Sequence, residues 1–278
     1  MKSKFILNFC PTGMIPTKDM TPYVPITIEE VIDQVLEAAS SGVNMVHLHA
    51  RDPESGDPTY KKDYYAHIIK AIRKEYPDLI ICVTTSGRNF SEFEKRSEVL
   101  DLDGDLKPDF GSLTLSSLNF NKQASINSPQ MIQDLAQKML RRGIKPEMEV
   151  FDLGMINYAH YLITKGFIRP PFYFNLILGN IACAQATLLN LGLMTKELPE
   201  GSFWSAGGVG DTQLTMNVMA LSVGGGVRIG LEDNIWFDNE RTRLATNLDL
   251  VERIVGIART LGLEPYSHKE ARMLLAGA

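Results

Sequence analysis

The stretch Asn44-Met45-Val46-His47-Leu48-His49-Ala50 is short, mostly apolar and set between two patterns of helical period. Its apolar residues are nearly continuous, which marks a strand covered on both faces, as in parallel sheets. Seven further runs share that character, at 5–10, 79–84, 109–115, 147–151, 172–178, 203–207 and 227–231. Amphipathic stretches separate them. Thr27 and Glu30 form a capping box before Val31, Val35 and Leu36, with Gly42 as the stop. Ser128 precedes Pro129 at the favoured first helical position, and Gly143 closes that helix. Other helices are expected at 64–76, 92–100, 155–165, 183–193, 212–222 and 244–262, with an extra C-terminal helix at 269–275. Eight βα units without a low-complexity linker predict an α/β fold, a single (β/α)8 TIM barrel over residues 1–278. The alternative is an open Rossmann-like sheet, but no GxGxxG follows the first run.

Composition narrows the function. The 278 residues are 44% hydrophobic and 22% charged, enough apolar surface for a sizeable core. Lys and Arg total 28 against 33 Asp and Glu, a formal charge of -5, so no basic footprint for nucleic acid or an anionic membrane is present. A small molecule, or another copy of the chain, is the expected partner. Cys10, Cys82 and Cys183 are widely spaced and form no CxxC pair, which fits a reducing cytoplasm. The apolar run at 5–10 is broken by Asn8 and followed by Pro11, too short for a signal-peptide core. No run approaches the ~20 apolar residues of a membrane span.

In a barrel the active site gathers at the C-terminal ends of the strands. Period-two alternation sends His47 and His49 to one face and Val46 with Leu48 to the other. Two inward imidazoles are either a hydrogen-bonded polar pair or half of a zinc-like site. The eighth run continues Val227-Arg228-Ile229-Gly230-Leu231-Glu232-Asp233-Asn234 and places an acidic pair at its end. The second and eighth strands flank the first in a closed barrel, so Glu232 can reach a metal held by His47 and His49. Two histidines and one carboxylate leave positions open for substrate, as catalytic sites do. The third run ends Thr84-Thr85-Ser86-Gly87-Arg88, whose hydroxyls serve either a substrate oxygen or the turn itself. Gly207-Gly208-Val209-Gly210 follows the seventh run where barrels often bind phosphate, a weak signal on its own.

With these segments in place, the chain resembles the β-keto acid cleavage enzymes along nearly its whole length. The likeness is carried by Thr12-Gly13, His47-Leu48-His49, Thr84-Thr85-Ser86-Gly87, Ser112, Pro146-Glu147-Met148-Glu149-Val150, Gly207-Gly208-Val209-Gly210 and Arg228 through Asn234. The resemblance implies one zinc ion on His47, His49 and Glu232, with Asp233 as general base oriented by Arg228. It also implies pocket positions at Thr84, Ser112, Glu149 and Gly208. The implied reaction takes a β-keto acid and acetyl-CoA to acetoacetate and a new acyl-CoA, in a cytoplasmic homo-oligomer, tetrameric by the same resemblance. Members acting on amino-substituted keto acids carry a glutamate where this chain has Ile15, which points to a substrate without an amino group. Asn180 to Ala184 and Asp211 also depart from the family pattern, at positions expected to touch CoA.

Other metal-dependent barrels place their ligands differently. Amidohydrolases carry HxH on the first strand and add histidines on later strands, whereas His67, His160 and His268 all fall in predicted helices. Lyases of the hydroxymethylglutaryl-CoA type begin with an acidic RD pair that residues 5–13 lack. A non-catalytic metal- or metabolite-binding barrel remains the rival from a different class, and acetyl-CoA-dependent turnover separates it.

Overall fold

The computed structural model describes residues 4–277, leaving 1–3 and 278 outside. Eight parallel strands close into a barrel in sequence order. They are β1 (Leu7–Phe9), β2 (Met45–Leu48), β3 (Ile80–Val83), β4 (Phe110–Thr114), β5 (Lys145–Val150), β6 (Tyr173–Leu178), β7 (Phe203–Gly208) and β8 (Gly226–Ile229). The eight segments expected from the apolar runs are the eight staves, and β8 pairs with β1, which pairs with β2. Around them lie α1 (Ile28–Ser40), α2 (Lys62–Glu75), α3 (Phe93–Ser97), α4 (Pro129–Arg142), α5 (Leu153–Thr164), α6 (Leu188–Glu197), α7 (Gln213–Ser222), α8 (Asn247–Thr260) and α9 (His268–Leu275). Both cap motifs hold: Thr27 and Glu30 bond reciprocally, and Gly143 takes the left-handed conformation after α4. No described helix is long and apolar enough to cross a membrane.

Two elements differ from expectation. Lys4–Phe5 leaves the barrel and pairs with Glu264–Pro265, so the first apolar run is divided between two sheets. The helix expected at 183–193 begins only at Leu188, with Thr187 as its cap. The preceding residues turn instead, Cys183 N–H donating to the Asn180 carbonyl and Gly179 N–H to that of Ala184. Local hydrogen bonds of this kind compete with helix formation.

Alternation within each strand builds two separate interiors. Outward residues such as Val46, Leu48, Ile81 and Val83 pack under the helices. Inward residues Ile6, Met45, Ile80, Phe110 and Tyr173 fill the lower barrel and meet Ala271 and Leu275 of α9. The extra C-terminal helix therefore plugs the N-terminal mouth. Arg272 fastens it, reaching both Asp109 oxygens at 2.8 and 2.9 Å. Above this apolar floor the inward positions turn polar: Asn8, His47, Glu147, Asn175, Ser205 and Arg228 are all buried. One end of the barrel carries stability and the other is free for chemistry.

Truncating Leu275 to Ala removes a fully buried anchor of the plug. The expected loss is about 2–4 kcal/mol, read as a lowered midpoint in denaturant with an unchanged m-value. An unchanged midpoint would show that α9 contributes no packing to the barrel.

Candidate active site

Arg228 lies within β8 and is 1% exposed, so its charge must be met by other groups in the barrel. Its Nε donates to Asp233 Oδ2 at 2.8 Å, Nη2 lies 2.9 Å from Glu232 Oε1, and Nη1 lies 3.7 Å from Glu149 Oε1. The strand turns sharply after Ile229: Gly230 has φ 142, and a Cβ there would stand 2.1 Å from the Cys10 carbonyl oxygen. Glu232 and Asp233 thus fold back over the mouth. Three buried amides hold the frame. Asn217 donates to the carbonyls of Ala206 and Arg228, Gln213 to that of Gly230, and Asn247 links Leu231 to Pro11.

The two histidines face this turn. His47 Nε2 and His49 Nε2 are 3.2 Å apart, and His49 Nε2 is 3.4 Å from Glu232 Oε1. Behind them, His47 Nδ1 meets Glu147 Oε2 at 2.5 Å, and Glu147 also receives Asn8 Nδ2 at 2.7 Å and the Cys82 thiol at 3.2 Å. Burial opposes charge on His47, yet the Glu147 and Glu232 carboxylates outweigh it and raise its pKa to about 9. Burial lowers His49, against the pull of Glu232.

These donors fit a divalent cation. Ligand bonds of about 2.0–2.1 Å in a tetrahedral shell put neighbouring donors roughly 3.3–3.4 Å apart, close to the spacings between the two imidazoles and from His49 to Glu232. His49 Nδ1 and Glu232 Oε2 are buried with no hydrogen-bond partner, so the cluster is incompletely satisfied by protein alone. The carboxylate behind His47 is the usual support for a ligating imidazole. His47, Cys82 and Glu147 also lie close together, but the short His47–Glu147 contact already uses the facing atoms.

Acid–base character separates the two neighbouring carboxyls. Burial works against charge on Glu232, but His49 and Arg228 hold it well below the usual carboxylate range. Burial raises Asp233, Arg228 partly offsets that, and the Glu232 charge adds to the rise. Asp233 is the more basic of the pair and remains tied to Arg228.

The other expected residues divide. Glu149 is brought to Arg228 and accepts from Thr114 Oγ1 at 2.7 Å. The Ser112 hydroxyl oxygen accepts from Thr85 N at 3.0 Å, and Thr85 Oγ1 donates to the Ser112 carbonyl at 2.6 Å. Thr84 Oγ1 accepts from Ser86 N at 3.1 Å. Gly208 packs against the turn Gly210–Thr212, where a Cβ would lie 2.5 Å from the Thr212 carbonyl oxygen. Ile15 is 48% exposed on the first loop. Three contributors were not singled out individually: Glu147 behind His47, Gly13 and Arg88. Gly13, at φ 66, would place a Cβ 2.3 Å from Glu232 Cγ. Alternation along β5 could have flagged Glu147 together with Glu149 as inward; nothing local marks the other two.

The chain matches the family described as beta-keto acid cleavage enzyme over residues 4–276. The chain belongs to the β-keto acid cleavage enzyme family. A 3-keto-5-aminohexanoate cleavage enzyme of Fusobacterium nucleatum subsp. nucleatum is 36% identical, with 99% of each chain covered. A 3-oxoadipate:acetyl-CoA acetyltransferase of Cupriavidus necator is 32% identical over 99% of this chain and 95% of its own. Among solved structures, ObcA in binary complex with oxaloacetate superposes with a TM-score of 0.80 at 21% identity, covering 91% of this chain and 67% of that one, and shares the barrel. As in its relatives' names, the family activity is cleavage of β-keto acids, and this chain is an enzyme of that type.

Replacing Gly13 by Ala tests the geometry around Glu232. Both the left-handed backbone and the contact oppose a Cβ, so Tm should fall by several degrees while the barrel remains folded. Bound divalent metal per chain, read by elemental analysis, should fall with it. Undiminished metal content would show that Glu232 does not depend on this close approach.

Proposed function

We propose that this enzyme uses one zinc ion, held by His47, His49 and Glu232, to transfer CoA from acetyl-CoA to the acyl fragment of a β-keto acid, releasing acetoacetate. The observation that carries the reading is the convergence of two imidazole nitrogens and one carboxylate beside the Arg228–Asp233 pair. Zinc in that position would stabilise negative charge on the keto and carboxylate oxygens of the substrate, an effect worth several kcal/mol. Asp233 takes a proton from the carbon between the two carbonyls, its basicity raised by burial and its orientation fixed by Arg228. The carbanion forms a new bond to the thioester carbonyl carbon, and CoA departs as the thiolate. That thiolate attacks the original keto carbon, the old carbon–carbon bond breaks, and its electron pair returns a carbanion that Asp233 reprotonates. The products are acetoacetate, carrying the acetyl group, and the acyl-CoA of the remaining fragment.

We also infer that the substrate lacks an amino group. Ile15 offers no charge to an ammonium tail, and burying an unpaired cation costs several kcal/mol. Lys18 is itself cationic and pairs with Glu30 at 2.6 Å, and Asp211 pairs with Arg241 at 3.6 Å on the surface, so neither offers a free carboxylate.

Two measurements test the chemistry. Carbon label in the acetyl group of acetyl-CoA should appear in acetoacetate; label retained in the thioester while keto acid disappears would instead indicate a lyase or hydrolase. Asp233→Asn preserves shape but cannot accept the proton, so kcat should drop about 100-fold or more with metal content nearly unchanged, while Tm falls because Arg228 loses one of its three carboxylates. Wild-type turnover in that variant would remove Asp233 from the mechanism.

A further inference from the structure

Arg88 lies in the loop between β3, which ends at Val83, and α3, which begins at Phe93. Its backbone is fixed: its N–H donates to Ser86 Oγ at 3.3 Å. Gly87 before it is pressed against Ile126 and Arg96, where a Cβ would come within 2.5 and 2.6 Å of their atoms. The guanidinium carbon lies 3.6 Å from the centroid of the Phe120 ring. Phe120 lies in the turn of the hairpin of Leu118–Asn119 with Ala124–Ser125, its N–H donating to the Gln123 carbonyl at 2.8 Å and its ring edge-on to Phe151 at 5.9 Å.

Neighbouring arginines are committed to the fold. Arg96 donates to the Thr85 and Ile126 carbonyls and to Asn127 Oδ1, and Arg51 donates to the Gly56 and Pro16 carbonyls. Arg228 is held by three carboxylates. Among the described residues, the Arg88 guanidinium has neither a hydrogen bond nor an ion pair. It is partly desolvated and lies in the field of Glu232, Glu149 and Asp233, so it belongs electrostatically to the site. Stacking on a ring leaves the in-plane N–H groups free, a geometry that matches a carboxylate through two parallel bonds.

We propose that Arg88 is a specificity-determining residue that binds a second carboxylate, at the end of the β-keto acid remote from the cleaved bond. This rests on the reading of the reaction above, which places the keto and first carboxylate oxygens beside β2 and β8. A chain extending from there crosses the mouth toward the loops after β3 and β4, where Arg88 and Phe120 wait. Ile15 adds no competing charge, and the aromatic face and alkyl part of Arg88 cover the methylenes between the two ends. The substrate class is therefore a β-keto dicarboxylate.

The test compares 3-oxoadipate with 3-oxohexanoate, a diacid and a monoacid of equal length, using acetyl-CoA and the zinc-loaded wild type, Arg88→Gln and Arg88→Lys. Wild type should favour the diacid. In Arg88→Gln the ratio of kcat/KM for diacid over monoacid should fall about 10- to 100-fold, mostly through KM, and Arg88→Lys should restore part of it. An unchanged ratio, whether both rates fall together or neither does, would overturn the proposal; parallel loss would assign Arg88 to the carboxylate common to both acids. Calorimetric titration with 3-oxoadipate gives a readout without turnover. With 3-oxohexanoate as the control, weaker binding of the diacid but not of the monoacid by Arg88→Gln supports the contact even if no acetyl transfer is detected, in which case the reaction reading alone has failed; equal diacid binding, or equal loss for both acids, overturns the contact.

Discussion

A guanidinium closed inside a β-barrel is tolerable only when carboxylates surround it, and Arg228 has three within 4 Å. Leaving such a charge unpaired costs about 3–5 kcal/mol, a substantial part of the stability of an ordinary domain. The same contacts set the chemistry. Glu232 is kept ionised by Arg228 and His49, and Asp233 is oriented by Arg228 while burial keeps it basic. Glu147, Glu149, Glu232 and Asp233 together outnumber the positive groups that touch them. A proton on His47 relieves part of that excess, and a divalent cation held between His47, His49 and Glu232 would relieve it more fully.

This concentration of charge requires the rest of the barrel to be rigid. Below it the interior is apolar and sealed by α9, so the strands cannot shift without opening a packed core. Beside it, Asn217, Gln213 and Asn247 hold helices to strand ends by bonds to backbone groups that would otherwise be buried unpaired. Above it, Gly13 and Gly230 are sites where any side chain would collide with the structure that places Glu232. The cluster is precise because the long side chains within it, Arg228 and Glu147, are themselves buried and held by a frame of backbone and amide contacts.

Much of this was legible in the sequence because barrel topology follows directly from alternation. The eight apolar runs named the staves, and the spacing of His47 and His49 placed both imidazoles inside. The placing of the second and eighth strands on either side of the first brought Glu232 to them, as the observed β8–β1–β2 pairing does. What escaped depends on distances across the barrel. Glu147 lies 100 residues from His47, and no local pattern says that its side chain crosses to that imidazole. The start of α6 was misplaced because the apolar residues after Gly179 satisfy their backbone in a turn before Thr187 caps the helix. Of the two uses the sequence left open for the hydroxyls of the turn after β3, Thr85 shows the structural one, donating its Oγ1 to the Ser112 carbonyl while its N–H donates to Ser112 Oγ.

That division limits where substrate selection can be written. Exchanging a charged residue at the Arg228 centre would strand another charge in the interior, so variation there is costly whatever the substrate gains. The strand ends offer little more freedom, since the Ser112, Thr85 and Thr84 hydroxyls each make a backbone hydrogen bond that holds the loop after β3. The rim is different. Ile15 is half exposed, and the guanidinium of Arg88 touches the frame only through a ring face, so neither position carries the charge balance of the core. A barrel built this way can keep one reaction at its centre while residues on the β1 and β3 loops set the length and charge of the chain it accepts.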